Sequence, residues 1–128
     1  MLNTGRAAAT LPASDIGRAR KFYTETLGFR PTQESEGGIM FELGNGSGFF
    51  LYPSEYAGTN KATAMAIDVD DFDGTIADLR RKGISFMEFD YGDMKTENGV
   101  MQTPDGPAAW FQDPEGNIIG VVKMQPAS

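Results

Sequence analysis

Apolar and polar positions along this chain follow one plan twice. The first stretch, 8–39, opens on the strand-like run Ala8-Ala9-Thr10-Leu11-Pro12-Ala13. Ser14 and Asp15 then mark a helix start, because a short oxygen-bearing side chain accepts from the free amides of a first helical turn. Ile16, Ala19, Phe22, Tyr23 and Leu27 recur at helical spacing as one apolar stripe. Leu27-Gly28-Phe29 stops the helix, with Gly28 where a left-handed closing residue belongs. In the second stretch, 64–101, Ala64-Met65-Ala66-Ile67-Asp68-Val69 is the strand and Asp70-Asp71 the helix start. Phe72, Ile76 and Leu79 form the stripe, and Lys82-Gly83-Ile84 the stop.

Each half continues as short strand-like runs. In the first half these are 29–34, 38–43 and 48–53, separated by Glu36-Gly37-Gly38 and by the glycine-rich 44–48, both read as hairpin loops. In the second half they are 84–89, 100–103, 108–112 and 117–123, with the polar stretch 90–99 read as a loop. Asp113-Pro114-Glu115-Gly116-Asn117 is a strong turn signal, proline presetting one φ and Gly116 supplying a positive one. The predicted organisation is one domain over 1–128. A first βαβββ module spans 6–54, a linker 55–62 and a second βαβββ module 63–124, with fraying expected at 1–5 and 125–128. One α+β unit occurring twice must enclose something between its copies.

Alternation assigns faces. Met65, Ile67 and Val69 are expected under the second helix, with Ala64, Ala66 and Asp68 on the opposite, concave side. In the first copy Ala9, Leu11 and Ala13 pack under the helix, and Ala8, Thr10 and Pro12 point away.

Composition narrows the chemistry. The chain of 128 residues has no cysteine and no histidine. Disulfide and thiolate chemistry are thereby excluded, and the commonest general base and transition-metal ligand are missing. A formal net charge of -7 argues against a nucleic-acid partner. No apolar run approaches the ~20 residues that span a bilayer, and 1–6 lack the apolar core of a signal peptide. No membrane partner and a cytoplasmic location are the expectation.

Asp68 is the sharpest individual candidate, a carboxylate beside Ala64 and Ala66 able to hold a cationic or hydroxylated ligand or act as a base. The alternative is an ordinary strand-end or helix-capping carboxylate. The run Asp68 to Gly74 is no calcium loop: aligning Gly74 with the required glycine puts Val69 at the first ligand position and Arg80 where a bidentate glutamate belongs. The glycines at 44–48 are no phosphate cradle, since no Gly-Lys-Ser/Thr and no helix follow. Among Phe49, Phe50, Tyr52, Phe86, Met87, Phe89, Tyr91 and Trp110, most are expected to be core. Tyr52 and Trp110 stand out as pocket residues, each with a flat face and a polar atom. Thr10 adds a hydroxyl, while Glu42 and Glu88 read as solvent-facing.

The doubled βαβββ pattern, the Asp15-to-Phe29 string with Phe22-Tyr23 and Leu27-Gly28-Phe29, and the string Trp110-Phe111-Gln112-Asp113-Pro114-Glu115-Gly116-Asn117-Ile118-Ile119 together resemble one family. It is the glyoxalase/bleomycin-resistance/dioxygenase superfamily, also called vicinal oxygen chelate, and the resemblance covers roughly residues 6 to 124. It implies a curved, cup-shaped mixed sheet with helices on the convex side, a site inside the cup, and frequent dimerisation. It also implies four cup-facing metal-ligand positions, usually His, Glu or Gln. Here they fall on Ala8, Ala64, Gly120 and one of Phe49, Phe50, Leu51 and Tyr52. Alanine and glycine supply no side-chain donor, so no metal and no cofactor are expected.

The expected function is metal-free binding of a small, largely apolar organic molecule in the cup of a homodimer. Thr10, Phe50, Tyr52, Ala64, Ala66, Asp68, Trp110 and Gly120 would line it. The resemblance includes antibiotic-binding resistance proteins, which work by sequestration. One alternative is a lyase, isomerase or dioxygenase of the family using Asp68 or Tyr52 as acid or base, or a metal at other positions. Another is a regulatory module with a collapsed cup and an exposed sheet edge.

Overall fold

The computed structural model describes residues 1–124, Asn45 by its backbone alone; residues 125–128, expected to fray, lie outside the described residues. The first half runs β1 (Ala9–Ala13), α1 (Ile16–Lys21), β2 (Arg30–Ser35), β3 (Gly38–Glu42) and β4 (Gly48–Pro53). The second runs β5 (Thr63–Asp68), α2 (Phe72–Arg81), β6 (Thr96–Glu97), β7 (Val100–Thr103), β8 (Gly106–Gln112) and β9 (Ile118–Val122). The two sheets are ordered β1-β4-β3-β2 and β5-β9-β8-β7-β6. In each, the strand before the helix pairs parallel with the last strand of its own half, and the other pairs are antiparallel. The free edges β1 and β5 touch each other, which joins the halves into the curved mixed layer expected of two tandem βαβββ modules.

The helices start and stop where local chemistry dictates. Asp15 caps α1 by accepting from the Arg18 amide, and Asp71 caps α2 by accepting from the Gly74 amide. Gly28 and Gly83 follow the helices with φ of 77° and 89°. The first helix is not uniform, however. After six α residues it widens into a π turn over Phe22–Thr26, with the Leu27 amide bonded to the Phe22 carbonyl. That turn carries the fully buried Tyr23.

One core spans both halves on the helix side. Leu11, Ala19, Phe41, Phe49 and Leu51 come from the first half, and Phe72, Ile76, Leu79, Ala109, Phe111, Ile119 and Val121 from the second. Three expectations need correction. Residues 84–89 form no ladder: a bond from the Met87 amide to the Trp110 carbonyl, 2.8 Å, ties them to β8, beyond the Gly106–Ala108 stretch that β7 pairs. The stretch 90–99, expected as loop, contains β6 and turns into β7 at Asn98-Gly99, whose φ of 53° and 80° match a two-residue hairpin. Finally, β5 is bulged between Thr63 and Met65, so Ala64 packs against the core and Thr63 takes the concave face beside Gly120.

Candidate functional site

The concave face is what remains of each strand after its core residues are set aside. On the first sheet Phe49 and Leu51 are fully buried, so Phe50 and Tyr52, at the alternate positions, point the other way. Their rings lie 6.5 Å apart and within 6° of parallel. Thr10 is in register with Phe50 and Pro12 with Tyr52, and the Thr10 side is exposed. On the second sheet Ala66, Gly120 and Trp110 share one register row. A Cβ on Gly120 would stand 3.3 Å from Trp110 Nε1 and 3.5 Å from Thr63 Cγ2, so the indole lies over the glycine. Asp68 is exposed at the end of β5, and its Oδ1 accepts from the Met124 amide at 3.1 Å.

The predicted residues thus gather in two groups. Thr10, Phe50 and Tyr52 share the first sheet, and Ala66, Trp110, Gly120 and Asp68 the second; Ala64 leaves the set. The fit to a metal is poor at the positions the resemblance implies. Ala8 is exposed ahead of β1, Ala64 is turned to the core, and the space above Gly120 is filled by the indole. Among residues 49–52 only Tyr52 carries an oxygen, and it faces the cup. Among the described residues no three His, Cys, Asp or Glu side chains converge to hold an ion.

The most elaborate polar cluster lies elsewhere, at the turn between β8 and β9. Asp113 is buried, and its Oδ1 accepts from the amides of Glu115 and Asn117, both at 2.9 Å. Its Oδ2 accepts from Tyr23 Oη at 2.6 Å and from Asn117 Nδ2 at 2.9 Å. Asn117 Nδ2 also donates to the Pro12 carbonyl. Glu115 reaches the start of α1: Oε1 accepts from the Ser14 and Asp15 amides and the Ser14 hydroxyl, and Oε2 from Arg18 Nε at 2.7 Å. Burial and the facing Asp113 carboxylate push the Tyr23 phenol far up, so it is a permanent donor. Burial pushes the Glu115 carboxyl up, but Arg18 and the Ser14 and Asp15 donors outweigh it, and the group ionises below its ordinary value. The Asp-Pro-x-Gly-Asn turn is therefore a pin between the halves rather than a catalytic group, with every buried polar atom of its side chains satisfied.

Sequence reasoning missed two further features. Two open grooves of about 540 and 550 Å³ flank residues 83–86 beside the helices, one bordered by Phe22 and Pro114, the other by Arg80 and Asn98. Neither is bordered by the concave-face residues. The hairpin of residues 89–96 sets Phe89 edge-on to Trp110 at 5.5 Å. Among the described residues, no helix is long and apolar enough to cross a membrane.

The model of the Glyoxalase/Bleomycin resistance protein/Dioxygenase superfamily matches residues 5–121. A glyoxalase/bleomycin resistance protein from Streptomyces sp. CB03234 is 27% identical, with 93% of this chain and 100% of that one aligned at a TM-score of 0.64. TnmS3, an antibiotic binding protein from the same strain, is 25% identical over 95% and 98% of the two chains, at 0.70. The bleomycin-binding protein from Streptomyces verticillus complexed with copper(II)-bleomycin shares the fold at 22% identity, 98% and 100% coverage and 0.72. Among curated proteins none matches this chain. With a family match over almost its whole length and the doubled module in place, the chain belongs to the glyoxalase/bleomycin resistance protein/dioxygenase superfamily.

Proposed function

We propose that this protein binds a small, largely apolar organic molecule on its concave face without a resident metal, and that a second copy of the chain closes the cup. The observation that carries the reading is the chemistry of the family's ligand positions: two alanines, a glycine covered by an indole, and a short run of Phe, Leu and Tyr. Such a surface offers dispersion contact and stacking in place of coordination. The parallel rings of Phe50 and Tyr52 provide one flat face, and Trp110 over Gly120 another. The hydroxyls of Thr10 and Tyr52 and the Oδ2 of Asp68 orient the molecule, while Ala66 leaves room for it. The likeness to an antibiotic binding protein supports retention of an organic guest rather than its conversion.

The test is a thermal-shift screen of neutral aromatic compounds in excess EDTA, with elemental analysis in parallel. A ligand at 100 times its dissociation constant adds about 2.7 kcal/mol of stability. Tyr52→Ala should abolish that shift. Binding that disappears with EDTA, together with a stoichiometric metal in the purified protein, overturns the reading.

A further inference from the structure

The hairpin of residues 89–96 carries features that the cup alone does not explain. Tyr91 is 72% exposed and Met94 37% exposed. Tyr91 stacks on Phe89 with centroids 5.9 Å apart and planes within 15°, and Phe89 in turn meets the Trp110 ring edge-on at 5.5 Å. A continuous file of three rings therefore runs from the concave face of the second sheet to a ring standing in water. The outer ring is presented by a turn built on its own hydrogen bonds. The Tyr91 amide donates to the Met94 carbonyl at 2.8 Å, the Gly92 amide to Asp90 Oδ1 at 3.0 Å, and the Thr96 amide to the Phe89 carbonyl at 2.9 Å. The surrounding charge is one-sided. Residues 88–97 hold Glu88, Asp90, Asp93 and Glu97 against Lys95 alone, all of them exposed.

We propose that Trp110, Phe89 and Tyr91 form an aromatic wall that receives a planar organic cation, with Tyr91 as the outermost stacking ring and the hairpin carboxylates selecting positive ligands over negative ones. The inference rests on the reading that the concave face binds a small molecule, and it adds the ligand's charge class and the residues that discriminate it. A ring face attracts a cation through its quadrupole, and stacking on an exposed tyrosine removes apolar surface from water. Exposed carboxylates act through a screened field, so their share of the selectivity fades with added salt.

Trp110 is the chain's one tryptophan, and its emission reports directly on the wall. The experiment titrates the protein with proflavine, a planar cation, and with anthraquinone-2-sulfonate, a planar anion, followed by Trp110 quenching and by calorimetry. Proflavine should quench saturably and bind about tenfold more tightly than the sulfonate at low salt, the gap narrowing in high salt. Tyr91→Ala should weaken proflavine about tenfold with an unchanged melting temperature, as loss of one exposed stacking ring requires. Asp90→Asn with Asp93→Asn should narrow the gap between the probes. Equal affinity for the two probes, or wild-type affinity in Tyr91→Ala, overturns the inference; if Tyr52→Ala still loses proflavine in that case, the cup reading stands without the wall. Binding of neither probe also overturns the wall, whereas the cup reading falls only if the neutral screen is blank as well.

Discussion

The two helices begin alike and are held differently. Each has an aspartate cap, Asp15 or Asp71, accepting from the amide three residues on. Beyond its cap, α2 relies on length: ten residues with Phe72, Ile76 and Leu79 buried in a row. The α segment of α1 has six residues, too few to stand on helix propensity alone, and gives way to a π turn. What α1 lacks in length is supplied from the other end of the chain. Glu115 takes the Ser14 and Asp15 amides, and Asp113 holds Tyr23 in the π turn. No comparable turn of the first half reaches α2 among the described hydrogen bonds. The duplicated plan has thus become asymmetric, with the late half clamping the early one.

The strongest way to break this asymmetry is Asp113→Ala. It strands the Tyr23 hydroxyl, the Asn117 amide group and two backbone amides in a buried place. Denaturant unfolding should show a loss of roughly 3–5 kcal/mol, as for a buried charge network deprived of one member. Gly116→Ala comes next. Its φ is 85°, and a Cβ would lie 2.8 Å from the Gly58 Cα, a backbone atom of the 55–62 connection that cannot swing aside. The expected cost is about 2–3 kcal/mol. Gly28→Ala is its control, with φ 77° and nothing within 4 Å, so it should cost only about 1 kcal/mol of left-handed strain.

Glu115→Gln tests the clamp at its charged end and should cost about 1–2 kcal/mol at neutral pH. The pH dependence has a definite sign. The folded-state carboxyl ionises below the 4.5 typical of the unfolded chain. Its stabilisation is therefore complete above that value and is lost as pH falls through the folded value. Melting temperatures from pH 7 down to 3 should fall more steeply for the wild type than for Glu115→Gln. Parallel curves would show that the Arg18 and helix-start contacts contribute no net charge stabilisation.

The comparison also marks what a reader of the residues alone can see. Caps, closing glycines and the doubled stripe were legible because each is decided within a few residues. The partners of Asp113 and Glu115 were not, since Tyr23 and Ser14 lie 90 and 101 positions away and the turn explains itself locally without them. Alternation placed Thr10 and Ala66 on the concave side, yet failed at Ala64, where one extra residue in the ladder reverses the period. The run 84–89 has a strand's pattern but meets β8 through one backbone bond, at Trp110, a long-range outcome that no local pattern encodes. The aromatic hairpin hid in a stretch rich in acids, and Asn98-Gly99 announced only the turn after it, between β6 and β7.

The finest test separates a shared clamp from two independent caps. Asp71→Ala and Asp15→Ala each remove one capping bond and should each cost about 1 kcal/mol. Their behaviour with Glu115→Gln should differ. Asp15 donates its own amide to Glu115, and its carboxylate and Glu115 both bear on Arg18, so these changes touch one network. Asp71 has no described bond to it. In a double-mutant cycle read by denaturant unfolding, Asp15→Ala with Glu115→Gln should show a coupling of at least about 0.5 kcal/mol, whereas Asp71→Ala with Glu115→Gln should add within about 0.3–0.5 kcal/mol. Additivity in both pairs would mean that α1, like α2, is stabilised by its own cap, and that Glu115 merely fastens the turn.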